Sequence, residues 1–243
     1  MKHTITAFFA LILIAACGKK EQTKDLLITG EIKGLKSGTL SIKRLNDSVW
    51  VTIDSIIFDG DSKFKTELDL PSPEMLSLHL DRGVTENIDN ELLIFAEPGQ
   101  MTIETDLDRF YSKAKVTGSK NNDLYDEYKK VKGRYTDQQL EQSLAGFNAK
   151  KEGKPFSEEA NNATIEKIIK RKYLYAINFA RNNADHEIAP YIALYEVPNA
   201  QLRYLDTINN ALSPKIAKSK YGKQLAEYIG ERRKFESQVE SSN

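Results

Sequence analysis

Of the 243 residues only one is a cysteine, Cys17. A single thiol excludes an internal disulfide, a cysteine-based metal site and a Cys-x-x-Cys redox pair. Histidine is nearly as scarce, with His3, His79 and His186 the full set; that is too few for a histidine-rich zinc site. Tryptophan occurs once, at Trp50, and tyrosine is missing from the first 110 residues. No apolar run approaches the roughly 20 residues needed to cross about 30 Å of hydrocarbon. Neither sign of charge dominates: 35 basic side chains balance 35 acidic ones, so the broad basic footprint of a nucleic-acid binder is lacking.

What is present describes a globular chain. Hydrophobic residues make up 40% and charged residues 29%, the balance of a protein that folds in water. The length suffices for two modest domains, each with its own core. Charge is unevenly spread: residues 28–117 carry 10 basic and 16 acidic side chains, whereas residues 118–243 carry 21 and 17. Opposite net signs favour docking of the two halves, although salt screens much of that attraction.

The first residues carry an address. Lys2, an apolar run from Ile5 to Ile14, and the small residues Ala15-Ala16 follow the pattern of an export signal. Lys19 and Lys20 close the segment immediately afterwards. The ending Leu13-Ile14-Ala15-Ala16-Cys17 resembles the lipobox of bacterial lipoproteins, in which the cysteine thiol receives a diacylglyceryl group and the chain is cut just before it. By that resemblance residues 1–16 are a lipoprotein signal peptide and Cys17 is the lipidation site, leaving 227 residues. Several acyl chains hold a protein stably where one holds it marginally. An uncleaved interfacial helix, and a plain secretory signal with an incidental cysteine, are the other two readings of the segment. Residues 17–25 are polar and aperiodic and read as a tether.

From Leu26 the apolar period is two. Leu26–Ile32, Thr39–Leu45, Val49–Phe58, Phe64–Leu70, Met75–Leu80, Leu92–Ala96, Met101–Thr105 and Lys113–Val116 read as strands, parted by turn residues such as Asp59-Gly60-Asp61 and Pro98-Gly99. Asp-Gly is a strong hairpin signal because glycine accepts a positive φ. The spacing predicts an antiparallel β-sandwich or barrel over 26–117. At Gly118-Ser119 the period becomes helical, and an α-helical domain of about five helices is expected over 118–243, for an α+β chain overall. Leu124, Tyr128, Val131 and Tyr135 share a face, and Leu140, Leu144 and Phe147 continue it, with Thr136 and Gln139 spaced as a capping box that restarts the helix. Glu152-Gly153-Lys154-Pro155 is a break, and Ser157 opens the clearest amphipathic helix, lined by Ile165, Ile168, Ile169, Tyr173, Ala176, Ile177 and Ala180.

The order of these parts resembles one family. The lipobox, Val51-Thr52-Ile53-Asp54-Ser55, Phe58-Asp59-Gly60, Phe95-Ala96-Glu97-Pro98-Gly99 and Val116-Thr117-Gly118-Ser119 leading into tyrosine-rich helices are similar to Gram-negative lipoproteins whose β domain is a domain of unknown function. In many such proteins a thioredoxin-like oxidoreductase domain follows. The sequence to Asn243 contains no such domain and no Cys-x-x-Cys, so no redox role transfers to any residue here.

Candidate chemical groups are few. His79, in the alternating Leu78-His79-Leu80, is expected on the polar face of a sheet, and His186, after Asp185, at a helix start. Asp81, Glu86, Asp89 and Glu91 could offer oxygens to calcium, but without the spacing and turn glycine of a calcium loop; a solvated loop is the simpler reading. Lys167, Lys170, Arg171 and Lys172 make a charged helix face. Most tyrosines sit at core-facing positions; Tyr125, Tyr175 and Tyr204 do not declare a face. No catalytic set, cofactor site or metal site is expected. The sequence thus points to a non-enzymatic binding or scaffold module, held by membrane lipid through acylated Cys17 at the outer membrane, facing periplasm or cell surface. An envelope protein is its expected partner, with no nucleic acid. The alternative is an accessory to envelope thiol-disulfide exchange beside a separate thioredoxin-like protein. A hydrolase working through carboxylates alone is a third possibility.

Overall fold

A computed structural model of the protein describes residues 24–83 and 88–241. Eight strands come first: β1 (Leu26–Lys33), β2 (Ser37–Asn46), β3 (Val49–Asp59), β4 (Lys63–Leu68), β5 (Glu74–Asp81), β6 (Glu91–Ala96), β7 (Gly99–Asp106) and β8 (Lys115–Thr117). The helices follow: α1 (Lys120–Lys151), α2 (Glu158–Asn182), α3 (Ile188–Tyr195), α4 (Leu202–Ala211), α5 (Pro214–Ala217) and α6 (Lys220–Ser241). The short α5, begun by Pro214, brings the count among the described residues to six. No described helix is long and apolar enough to cross a membrane.

The strands form two four-stranded sheets, ordered β4-β1-β7-β8 and β3-β2-β5-β6. Ile28, Phe64 and Ile103 of the first face Leu40, Leu78 and Ile94 of the second across one buried core, so the β region is a sandwich and not a closed barrel. Gly30 occupies an inward position of β1 because nothing larger fits. A Cβ there would lie 2.4 Å from the Ile103 carbonyl oxygen and 2.5 Å from the Phe64 ring.

Two features depart from the alternation-based expectation. β1 and β7 pair in parallel, from Leu26 opposite Gly99 to Lys33 opposite Asp106, whereas every other pair is antiparallel. The Pro98-Gly99 turn carries the chain from one sheet to the other, so no hairpin dictates the direction of β7. The Asp59-Gly60 step also crosses between sheets. Gly60 adopts the positive φ of +90°, yet β3 and β4 do not pair, and its N–H instead donates to Lys36 C=O at 2.7 Å.

The second core lies against the outer face of β5 and β6. Met75 and Phe95 point away from the sandwich interior and join Leu124, Tyr125, Ile188, Ile192, Leu205, Tyr221 and Leu225. Strand β6 is therefore apolar on both faces, which is why Leu92 to Ala96 reads as a continuous hydrophobic run.

Helix α1 is unbroken through Thr136. Its hydroxyl donates to Lys132 C=O at 3.2 Å, a bond made within a helix and not at an N-cap. Beyond Tyr128 the apolar stripe also leaves the core: Leu140, Leu144 and Phe147 are 58%, 50% and 64% exposed. Here α1 projects beyond the bundle with α2 as its partner, and the contact face is built by Gly146 against Phe156. Ile169 of α2 is exposed for the same reason. The break at Glu152–Pro155 is present, with Gly153 at φ +64°, and Ser157 caps α2 by accepting from the Ala160 N–H at 3.2 Å.

Candidate functional site

The sandwich meets the helices at strand β6, an edge whose backbone would otherwise be unpaired. Side chains from the start of α1 supply the missing partners. The Phe95 N–H donates to Asn122 Oδ1 at 3.0 Å, and Ser119 Oγ donates to Phe95 C=O at 2.6 Å. Ser119 simultaneously caps α1, its Oγ accepting from the Asn122 N–H at 2.9 Å. Gly118 permits this approach: its φ is +94°, and a Cβ would lie 2.1 Å from the Gln100 carbonyl oxygen. On β5, the Met75 N–H donates to the Tyr221 hydroxyl at 2.9 Å.

Asn121 is the hub beside this seam. It is 1% exposed, donates from Nδ2 to Glu97 Oε1 at 2.5 Å and Glu187 Oε2 at 3.1 Å, and accepts from the Ile188 N–H at 2.8 Å. Glu97 also accepts from the backbone N–H groups of Asn121 at 2.6 Å and Lys120 at 3.3 Å, placing a carboxylate at the positive end of α1. Glu74 is buried between two cations. Its Oε1 lies 2.6 Å from Arg44 Nε, an ion-pair contact without hydrogen-bond alignment, and Oε2 pairs with Lys220.

Aromatic rings fill the space behind. Phe95 packs edge-on to Tyr191 at 5.5 Å and to Tyr221 at 5.9 Å, and Tyr191 meets Tyr125 at 6.0 Å. Burial, reinforced by the nearby Glu196 carboxylate, pushes the Tyr125 phenol up to about 12. Burial likewise raises Tyr128, Tyr191 and Tyr221 above their ordinary value.

In front of the hub is a cleft of about 850 Å³, within the range of small-ligand sites. Its walls come from five parts of the chain: Pro71, Ser72 and Pro73 between β4 and β5; Glu97 and Pro98 between β6 and β7; Lys120 and Asn121 of α1; and Asp185, His186 and Glu187 before α3. The fifth is Lys215, Lys218, Ser219, Lys220 and Lys223 of the α5–α6 corner. Gly222 makes that corner tight, since a Cβ there would lie 2.0 Å from the Ile216 carbonyl oxygen. Five lysines therefore face three carboxylates, and Asn121 already engages two of those. The Ser219 hydroxyl donates to Ile216 C=O at 2.8 Å, and His186 makes no side-chain hydrogen bond among the described residues. The cleft offers ammonium groups and hydrogen-bonding side chains rather than a positioned nucleophile and base.

Residues singled out in the sequence are dispersed. Cys17, with residues 1–16 and most of the tether, lies outside the described residues. His79 is half-buried on the outer face of the second sheet, opposite Ser41 and Glu91; only His186 reaches the cleft. The acidic stretch does not converge. Asp81 accepts from the Gly83 N–H at 2.8 Å, Asp89 from the N–H groups of Phe110, Tyr111 and Ser112, and Glu91 from Ser77 Oγ at 2.6 Å; Glu86 lies outside the described residues. Lys167, Lys170 and Arg171 are exposed on α2, and Lys172 reaches Gln139. Tyr125 is core, Tyr175 stacks on Tyr128 at 5.7 Å, and Tyr204 lies under the Arg203 guanidinium at 4.8 Å. The lysine corner does have a signal in the sequence: four lysines between 215 and 223 with no acidic residue among them.

A domain of unknown function, DUF4369, is found at residues 26–125. The match takes in all eight strands and continues into α1 as far as Tyr125, so it includes the Ser119 and Asn122 side chains that satisfy the edge of β6 and the Asn121 hub beside it. No curated protein matches the chain, and no solved structure does.

Proposed function

We propose that this chain is an envelope lipoprotein, acylated at Cys17, whose sandwich–helix junction works as a non-catalytic binding or scaffold site. The observation that carries the reading is the cleft itself: a concavity of about 850 Å³ whose walls are braced by the buried Asn121 hub. Such bracing holds a binding surface in one shape before its ligand arrives, which lowers the ordering cost of association. The tether of residues 17–25 spans at most about 30 Å when fully extended, so an anchored chain presents its cleft close to the bilayer. Lipid at Cys17 and an envelope partner or ligand in the cleft are then the two attachments of the molecule.

Two measurements test this. Cells fed a labelled fatty acid should incorporate it into the wild-type chain and not into Cys17→Ala; equal labelling, or none in either, overturns the anchor. A photo-crosslinking side chain at Lys218 should capture a component that the same group at Lys167 does not, and indistinguishable patterns overturn the cleft as the binding site. The resemblance to lipoproteins in which a β domain of unknown function precedes a thioredoxin-like domain supports a second reading. Repeated capture of a separate thioredoxin-like protein at Lys218 would make this chain an accessory to thiol-disulfide exchange.

A further inference from the structure

Resting on that binding reading, we infer that the ligand of the cleft carries phosphate, with two or more negative charges. Lys215 and Lys218 follow one another at a three-residue spacing, as do Lys220 and Lys223, so each pair projects to one side of the α5–α6 corner. Lys120 approaches from α1. Only Lys220 is neutralised, by Glu74; Lys120, Lys215, Lys218 and Lys223 make no salt bridge among the described residues. Converging ammonium groups in a cleft with low-dielectric walls raise the local positive potential and concentrate anions there.

The composition of the lining narrows the anion. It contains no arginine, so the planar, two-pronged recognition suited to a carboxylate is missing, whereas lysine serves a phosphate as a point charge. The lining also includes Pro71, Pro73 and Pro98, stiff and apolar, suited to the uncharged body of a phosphate ester.

Soluble phosphate esters and phospholipid headgroups share this chemistry. The full chain in neutral detergent is titrated calorimetrically with inorganic pyrophosphate, with glucose 6-phosphate, and with short-chain phosphatidic acid. Binding should weaken at least about tenfold in Lys215→Glu/Lys218→Glu/Lys223→Glu and be unchanged in Lys167→Glu/Lys170→Glu, a difference of roughly 1.4 kcal/mol. It should also fade as salt rises from about 0.05 M to about 1 M, where the Debye length is only about 3 Å. Lysine-dependent binding of pyrophosphate or the sugar phosphate identifies a soluble phosphate compound, and of phosphatidic acid alone a headgroup; either supports the inference. All three lysines are exposed, and circular dichroism of the variant checks its fold. No heat with any probe, or equal affinity in the two variants, overturns the phosphate assignment. If crosslinking at Lys218 still captures a component in that case, the binding reading stands without it.

Discussion

The two cores of this molecule solve the same problem with different side chains. The sandwich interior is aliphatic, with Phe58, Phe64 and Phe110 as its buried aromatics and no tyrosine. The helical core is built around Tyr125, Tyr128, Tyr191 and Tyr221. Strands saturate their own backbone through the ladders, so the side chains between two sheets have only space to fill. Where helices lie on the ends of β5 and β6, backbone groups remain to be satisfied and buried carboxylates must be faced. A phenol can pack and hydrogen-bond at once, as Tyr221 does with Met75 and Tyr128 with Glu196 at 3.3 Å. The contrast predicts that the sandwich responds to changes in volume, and the seam to changes in hydrogen bonding and proton uptake.

Phe95 tests the contrast most severely, because it belongs to a sandwich strand and packs in the helical core. Phe95→Ala should cost about 3–5 kcal/mol, the usual range for a buried phenylalanine. Trp50 fluorescence reports the β2–β3 hairpin, and far-ultraviolet circular dichroism reports the helices. Both should shift to the same lower denaturant midpoint, as a single cooperative unit requires. A fluorescence transition left in place while the helical one moves would show two units that melt apart.

Asn121 comes next. Asn121→Ala removes no large volume but leaves the Ile188 N–H and the carboxylates of Glu97 and Glu187 short of partners. Unsatisfied buried groups cost about 1–3 kcal/mol each, and with partial relaxation we expect roughly 2–4 kcal/mol in total. Denaturant midpoints measure it, and a loss below about 0.5 kcal/mol, typical of surface changes, would mean that the hub braces nothing.

Much of the sandwich was legible from the alternation of apolar residues, which located all eight strands and the switch to helices at Gly118. The parallel β1–β7 pair was not, because turn residues such as Pro98-Gly99 announce a change of direction without saying which sheet receives the strand. Thr136 and Gln139 have the spacing of a cap, but a threonine hydroxyl can bond back to the preceding turn, and only the continued packing of α1 on α2 decides between them. The seam was hidden for another reason. Ser119, Asn121 and Asn122 look like ordinary helix-start residues, and their partners Phe95 and Ile188 lie more than twenty residues away in either direction. The cleft gathers its lining from 71 to 223, beyond the reach of any local pattern.

Proton uptake separates the cores further. An unfolded tyrosine ionises near 10, whereas burial holds the Tyr125 phenol protonated up to about 12. A raised phenol pKa means that the folded chain keeps a proton the unfolded chain releases. Stability contributed by this group is complete below pH 10 and declines between pH 10 and 12. The loss from Tyr125 alone is on the order of 2 kcal/mol by the top of that window, and Tyr191 and Tyr221 act in the same direction. Midpoints measured from pH 8 to 12 should fall, and Tyr125→Phe should flatten the slope. A slope identical in the variant would assign the alkaline loss elsewhere.

The smallest effect is expected where α1 leaves both cores. Leu140, Leu144 and Phe147 repeat at helical spacing as core residues do, yet they are exposed on the projecting α1–α2 pair. Apolar periodicity alone would assign them several kcal/mol, whereas their exposure assigns almost nothing, since surface substitutions usually stay within about 0.5 kcal/mol each. Leu140→Ser, Leu144→Ser and Phe147→Ser, made singly, should leave the denaturant midpoint nearly unmoved, while Leu124→Ser on the same helix, buried against the aromatic cluster, should lower it clearly. If the distal variants cost as much as Leu124→Ser, the stripe is covered in solution and the far half of α1 is part of a core after all.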